Sequence, residues 1–207
     1  MRHTNITIPK IYALYALTTT LLVPFQFGAA TFLLLAGWNI LTIIAYNITK
    51  SKSLRKFIIT ISIIYPIIEM TIKFLIFRNI IPFSYWWLNS IEHSLFAIFT
   101  TTLLSISLIN SSLIKTSLLT ALTSIGIFNV VGILNEILEF GIRLAQNLEK
   151  IGYYYDTLRD LIINLAMSTL TAIIIMLISS KLRSNEEKPH NSNRRLPQTI
   201  RPERLPN

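Results

Sequence analysis

Cysteine is absent from the chain, which excludes disulfides, thiolate metal ligands, a cysteine nucleophile and S-acylation together. Charge is scarce as well: 14% of the 207 residues are charged, where a soluble domain carries about 25%. Acidic residues are the scarcer kind, 10 against 19 Lys and Arg. No HExxH, GxSxG or Walker signature occurs, so the standard hydrolase and nucleotide-binding motifs lend no support to any function.

What takes the place of charge is long apolar sequence. The chain is 52% hydrophobic with a mean hydropathy of +0.53, which puts it with polytopic membrane proteins. Between Lys10 and Lys50 there is no charged residue, a stretch too long for one span of about 20 residues. Pro24 and Gly28 break it, predicting two spans at about 9–25 and 29–48. Arg2, Lys10 and the pair Ala29-Ala30 also fit a signal peptide, but another apolar span follows with no soluble domain behind it. Four further spans are expected at 57–77, 88–109, 117–140 and 158–180. Tyr85, Trp86 and Trp87 mark an interface before the fourth, and Tyr153, Tyr154 and Tyr155 another before the sixth, in an interfacial segment over 141–155. Residues 183–207 are polar and proline-rich and read as a disordered basic tail that anchors topology.

The expected fold is therefore all-α, an integral membrane bundle of six transmembrane helices. An even number of spans puts both termini on one side. Fourteen Lys and Arg fall on that side, including Lys50, Lys52, Arg55, Lys56 and Lys115, while the other holds Arg78, Arg143, Lys150 and Arg159. The positive-inside rule then makes both termini cytoplasmic, in a multi-pass protein of the cell membrane. The net charge of +9 reflects this asymmetry, and no nucleic-acid partner is expected.

The acids are sorted too. Glu69, Glu92, Glu136, Glu139, Glu149, Asp156 and Asp160 all fall in or beside the outer halves of the spans. Ionisable groups in apolar helices are costly and mark functional sites by default. Asn129, Gly132, Glu136 and Glu139 recur at helical spacing on one stripe, as do Asp156, Asp160, Asn164 and Ser168. The two glutamates lie at a helix C-terminus, where the macrodipole disfavours negative charge, so capping does not account for them. They either pair with a cation such as Arg143, stay protonated, or hold a ligand. Asp156 also fits an N-cap. His93, beside Glu92 with Thr100 two turns deeper, reads either as an interfacial anchor or as a ligand. Glu69 and Lys73 form an i,i+4 pair whose simpler reading is mutual neutralisation, and Pro66 kinks their helix.

The order of these motifs is itself informative. The aromatic run leading into His93 (Tyr85 to Phe96) is followed by Asn135-Glu136-Ile137-Leu138-Glu139-Phe140. Then comes Tyr155-Asp156-Thr157-Leu158-Arg159-Asp160-Leu161-Ile162-Ile163-Asn164. This resembles the YjdF-like family of small bacterial and archaeal membrane proteins and, more distantly, VanZ-like proteins, over roughly residues 57–180. The resemblance implies a six-helix inner-membrane protein with His93, Glu136, Glu139, Asp156, Asp160 and Asn164 at the motif positions, and it names no reaction. Ser90 and Met167 stand where VanZ-like proteins, associated with glycopeptide resistance and the cell envelope, tend to have Lys and a small Gly.

Imidazole, carboxylates and an amide suit a divalent ion. The expectation is an outward-facing site in which His93, Glu136, Glu139, Asp160 and Asn164 hold the ion and Asp156 or Glu92 serves as base, acting on a lipid or envelope precursor. The same acids would also suit a proton-coupled carrier or ion relay, or an assembly scaffold docking a basic partner.

Overall fold

The computed structural model describes residues 9–22, 29–82, 86–111, 113–114, 116–145 and 151–186. Regular structure among them is entirely helical: α1 (Lys10–Leu22), α2 (Ala29–Ile48), α3 (Lys52–Phe77), α4 (Trp86–Ile109), α5 (Ser117–Ala145) and α6 (Ile151–Glu186). Five of them, α2 to α6, are long and apolar enough to cross a membrane. The 13 residues of α1 rise only about 20 Å, short of a hydrocarbon core of about 30 Å. The rest of the first expected span, with Pro24 and Gly28, lies outside the described residues, as do Tyr85, Lys115, Glu149 and the tail from 187.

Helix and apolar run are not the same object. α3 starts at Lys52 and takes in Arg55 and Lys56, α5 runs on to Ala145, and α6 starts at Ile151. The expected interfacial segment is thus largely helix. Hydrogen bonding carries a helix past the apolar boundary at little cost, because long basic side chains lay their stems along apolar surface and keep their charge outward. Composition marks where hydrocarbon ends, and backbone pairing marks where helix ends.

The molecule is inside-out relative to a water-soluble bundle. Leu14, Ile44, Ile67, Leu122, Ile137, Ile162 and Leu177 are exposed, whereas Thr42, Ser62, Thr100, Thr101, Ser105, Ser124 and Ser168 are buried. Small polar residues at helix contacts are what packing in lipid favours, since apolar side chains gain little by leaving hydrocarbon. Apolar packing is concentrated in a chain of rings. Trp38 of α2 meets Tyr65 of α3 at 4.5 Å between centroids, Tyr65 meets Phe99 and Phe96 of α4 at 5.5 and 6.0 Å, and Phe96 meets Phe128 of α5 at 5.5 Å. Edge and tilted arrangements of this kind add to simple contact area.

Pro66 inside α3 has no N–H for the carbonyl of Ser62, which a membrane interior would leave unpaired. The indole of Trp38 donates to that oxygen at 3.0 Å, and Thr42 donates to the Ser62 hydroxyl at 2.9 Å. The α2–α3 contact is thereby specified by the backbone defect that proline creates. A similar polar link joins α1 to α2: Tyr12 donates to Asn39 at 2.8 Å, and Asn39 donates to Thr20 at 2.9 Å.

α4 sits centrally, packed on α2, α3, α5 and α6, and the most extensive contacts are α5–α6 and α4–α6. Both ends of the bundle are tied. Asn79, in the left-handed region at φ 56, closes α3 with Ile80 N–H bonding to Leu75 O at 3.0 Å. At the other end Asn110, just past α4, accepts the amides of Lys50 and Ser51 at 2.8 and 2.7 Å. A bare Cα at Gly132 lets α6 approach: a Cβ there would stand 3.1 Å from Asn164 Nδ2. One turn deeper Asn129 donates to Ser168 at 3.2 Å. These two contacts set the register that brings α4, α5 and α6 together at His93.

Candidate functional site

The site is built at one end of the bundle, where the C-terminal halves of α3 and α5 meet the N-terminal halves of α4 and α6. α4 contributes Asn89, Glu92 and His93; α5 contributes Asn135, Glu136, Glu139 and Arg143; α6 contributes Asp156, Arg159 and Asp160; α3 contributes Glu69 and Lys73. His93, Glu136, Asp160 and Glu69 are all buried, at 8, 3, 2 and 3% exposure. Each acidic stripe expected on α5 and α6 turns its centre inward, with Gly132 and Glu136 buried on one and Asp160, Asn164 and Ser168 on the other.

His93 is the meeting point. Its Nε2 lies 3.5 Å from Asp160 Oδ2 and 3.7 Å from Glu136 Oε1. Donors around one tetrahedral ion, each about 2.0–2.1 Å from it, sit about 3.3–3.4 Å apart. The separations here are close to that spacing and long for direct hydrogen bonds. Donor atoms of His93, Glu136 and Glu139 all lie within 4.8 Å of one another, so three helix positions suffice for one ion. Asp160 approaches the same imidazole but stands outside that trio. Neither Glu136 Oε1 nor His93 Nδ1 has a hydrogen-bond partner. Buried polar atoms left unpaired are costly, and a ligand is one way to satisfy them.

Neighbouring groups hold the acids in place. Asn89 donates to Asp160 at 2.7 Å, and Arg159 reaches Asp160 at 3.5 Å while also pairing with Asp156. Asn135 donates to Glu139 at 2.8 Å; Arg143 lies 3.7 Å from Glu139 and donates to Thr157 of α6 at 3.1 Å. On the other side of His93, the Lys73 ammonium sits between Glu69 at 3.1 Å and Glu92 at 3.0 Å. A cavity of about 220 Å³ opens there, lined by Glu69, Lys73, Glu92, His93 and Glu139 together with the rings of Tyr65 and Phe96.

The candidates named from sequence thus fall into three groups. His93, Glu136, Glu139 and Asp160 come together. Glu92 lines the cavity but is engaged by Lys73, and Asp156 is partly exposed and paired with Arg159. Asn164 is buried a turn below Asp160 against Gly132, with no partner on its Oδ1. Sequence reasoning passed over Asn89 as an Asp160 partner, Asn135 as a Glu139 partner and the Lys73–Glu92 link. The first two carried a signal, because Asn89 and His93 are one helical turn apart, as are Asn135 and Glu139. The third crosses from α3 to α4 and has no local signature.

Six carboxylates and three cationic side chains make up this region, leaving three formal negative charges in excess. An uncompensated buried charge costs several kcal/mol or more. Protonation of a carboxyl group or a bound cation offsets that excess. Comparison with known proteins adds no constraint: no protein-family model, curated protein or solved structure matches the chain.

Proposed function

We propose that the chain is a six-span protein of the cell membrane, both termini cytoplasmic, carrying a divalent-metal centre near its outer face that acts on a lipid or envelope precursor. The observation that carries the reading is the convergence of buried His93, Glu136 and Asp160 from three helices at 3.5–3.7 Å, with unpaired polar atoms on the first two. His93, Glu136 and Glu139 are the ligands, with Asp160 beside them as a fourth donor held by Asn89. Asn164, a turn deeper, supports α6 against Gly132.

A divalent ion held by these residues would supply Lewis acidity towards a carbonyl or phosphoryl oxygen. The protein's own groups do the remaining work. Glu92, which faces the cavity, is the better placed of the two base candidates, and Lys73 orients it from 3.0 Å. Arg159, paired with Asp156 within α6, also reaches Asp160 and so helps to position it. The exposed apolar flanks of α5 and α6 let a lipid-like substrate approach from the bilayer.

The test is metal analysis of purified, detergent-solubilised protein. One divalent ion per chain is expected in the wild type and well under one in the Glu136→Ala, Asp160→Ala double variant. A wild-type protein with no metal above background after exposure to zinc, manganese and magnesium rules the reading out.

A further inference from the structure

We infer that one face of α3 is the seat of an anionic phospholipid, its phosphate among Lys52, Arg55 and Lys56 and its chains along the apolar residues that follow. At the end of the bundle away from His93 a cavity of about 560 Å³ is bordered by Pro9, Tyr46 of α2 and the first turns of α3. Those three cations are its only charged lining, and none of them pairs with a described carboxylate. One is already posed. Arg55 Nε donates to Thr49 O at 2.6 Å, and the guanidinium lies over the Tyr46 ring, 5.1 Å from its centroid. The outer N–H groups of its planar fork have no described partner, and such a fork matches phosphate oxygens. The first turn of α3, capped by Ser51, adds the positive end of a helix dipole.

A second observation sets the chemistry of the rest of the ligand. Further along α3 a separate groove of about 320 Å³ runs between Tyr15 of α1 and Pro66, Ile67, Met70 and Phe74 of α3, with no charged residue in its lining. Lys52, Lys56, Ile59, Ile63, Ile67 and Met70 recur at steps of three and four, so cavity and groove lie in line on one face of the helix. Tyr15 holds α1 beside that face by donating to Ile63 O at 3.2 Å. Lys56 and Ile67 are about 16 Å apart at about 1.5 Å per residue, roughly half of a hydrocarbon core of about 30 Å. Chains hung from a phosphate at Lys56 therefore reach the start of the groove. Free phosphate would use the basic cavity alone. A topology anchor needs only net charge, and it needs neither a held guanidinium nor an apolar groove aligned with it. The inference uses neither the metal centre nor the side of the membrane on which this end lies.

Titration of the detergent-solubilised chain with dioctanoyl-phosphatidylglycerol, read by native mass spectrometry, tests it directly. Saturation at one lipid per chain is expected, with phosphatidylcholine of the same chain length bound about tenfold more weakly. Lys52→Gln with Lys56→Gln should weaken phosphatidylglycerol binding about 30-fold. Lys50→Gln with Lys181→Gln removes the same charge from the same end of the bundle but outside the cavity, and should change binding less than about twofold. Glycerol phosphate and inorganic phosphate, added as competitors at the lipid's own concentration, should not displace it. Displacement by either assigns a free-phosphate site and overturns the inference. Equal retention of phosphatidylcholine, or equal weakening by the two pairs of substitutions, overturns it as well. The lipid and phosphate comparisons need only the wild type, so they decide the matter if the Lys52, Lys56 pair does not fold. Metal content enters none of these measurements, and a failed metal analysis leaves them intact.

Discussion

Asn89 illustrates how much of this centre depends on residues that touch no candidate ligand site in sequence. Its amide holds Asp160 at 2.7 Å, and without it that carboxylate keeps only the longer approaches of Arg159 and His93, both at 3.5 Å. Groups that orient metal ligands typically account for 10–100-fold in affinity. Asn89→Ala is accordingly expected to weaken divalent-ion binding about 10–100-fold with the helical far-UV signal unchanged, as read by competition with a chromophoric chelator. A loss no larger than twofold would place Asp160 outside the ion's surroundings. Gly132 matters for a different reason. It is buried on the inward stripe of α5, and its missing side chain is what allows Asn164 to close on the helix.

At the scale of elements, the α2–α3 pair turns on one proline. Pro66 strips the Ser62 carbonyl of its helical partner, and the Trp38 indole replaces it. Trp38→Phe keeps a ring against Tyr65 but removes the donor. It should lower stability by about 1–2 kcal/mol, measured by titration with sodium dodecyl sulfate from a mild detergent. In Trp38→Phe combined with Pro66→Ala the cost should shrink, since the restored amide at position 66 takes up the Ser62 carbonyl. An unchanged cost in the double variant would assign the effect to ring packing alone. Helix spacing made much of this legible beforehand. The stripe from Asn129 to Glu139 and the ladder from Asp156 to Ser168 were visible at steps of three and four, and the structure turns the centres of both inward. The pairing of Glu92 with Lys73 was not visible, because it depends on how α3 and α4 are rotated against each other.

For the whole molecule the question is which loops share a side. The connections after α2 and after α4 are joined by Asn110, and the connection after α3 lies at the opposite end of the same helices. Since the chain has no cysteine, single replacements report cleanly on sidedness. In intact cells Ile80→Cys, 65% exposed past α3, is expected to react with an impermeant maleimide, and Leu113→Cys, 70% exposed past α4, only after permeabilisation. The reverse pattern would put the acidic cluster on the cytoplasmic side and remove any envelope substrate.

What the amino-acid order determined by itself was chemical partition: where apolar runs lie, which ends collect bases and which collect acids, and which polar residues share a helix face. These follow from transfer free energies and the 3.6-residue turn, both properties of a segment in isolation. The tertiary structure decided which faces meet. That outcome rests on contacts between distant residues, such as a bare Cα at Gly132 against Asn164 and an indole over a proline-vacated carbonyl. It made His93 the hub, gave Glu92 to Lys73, and left Asp156 at the rim, because pairing between helices is set by rotation and register, and neither is encoded in any one span.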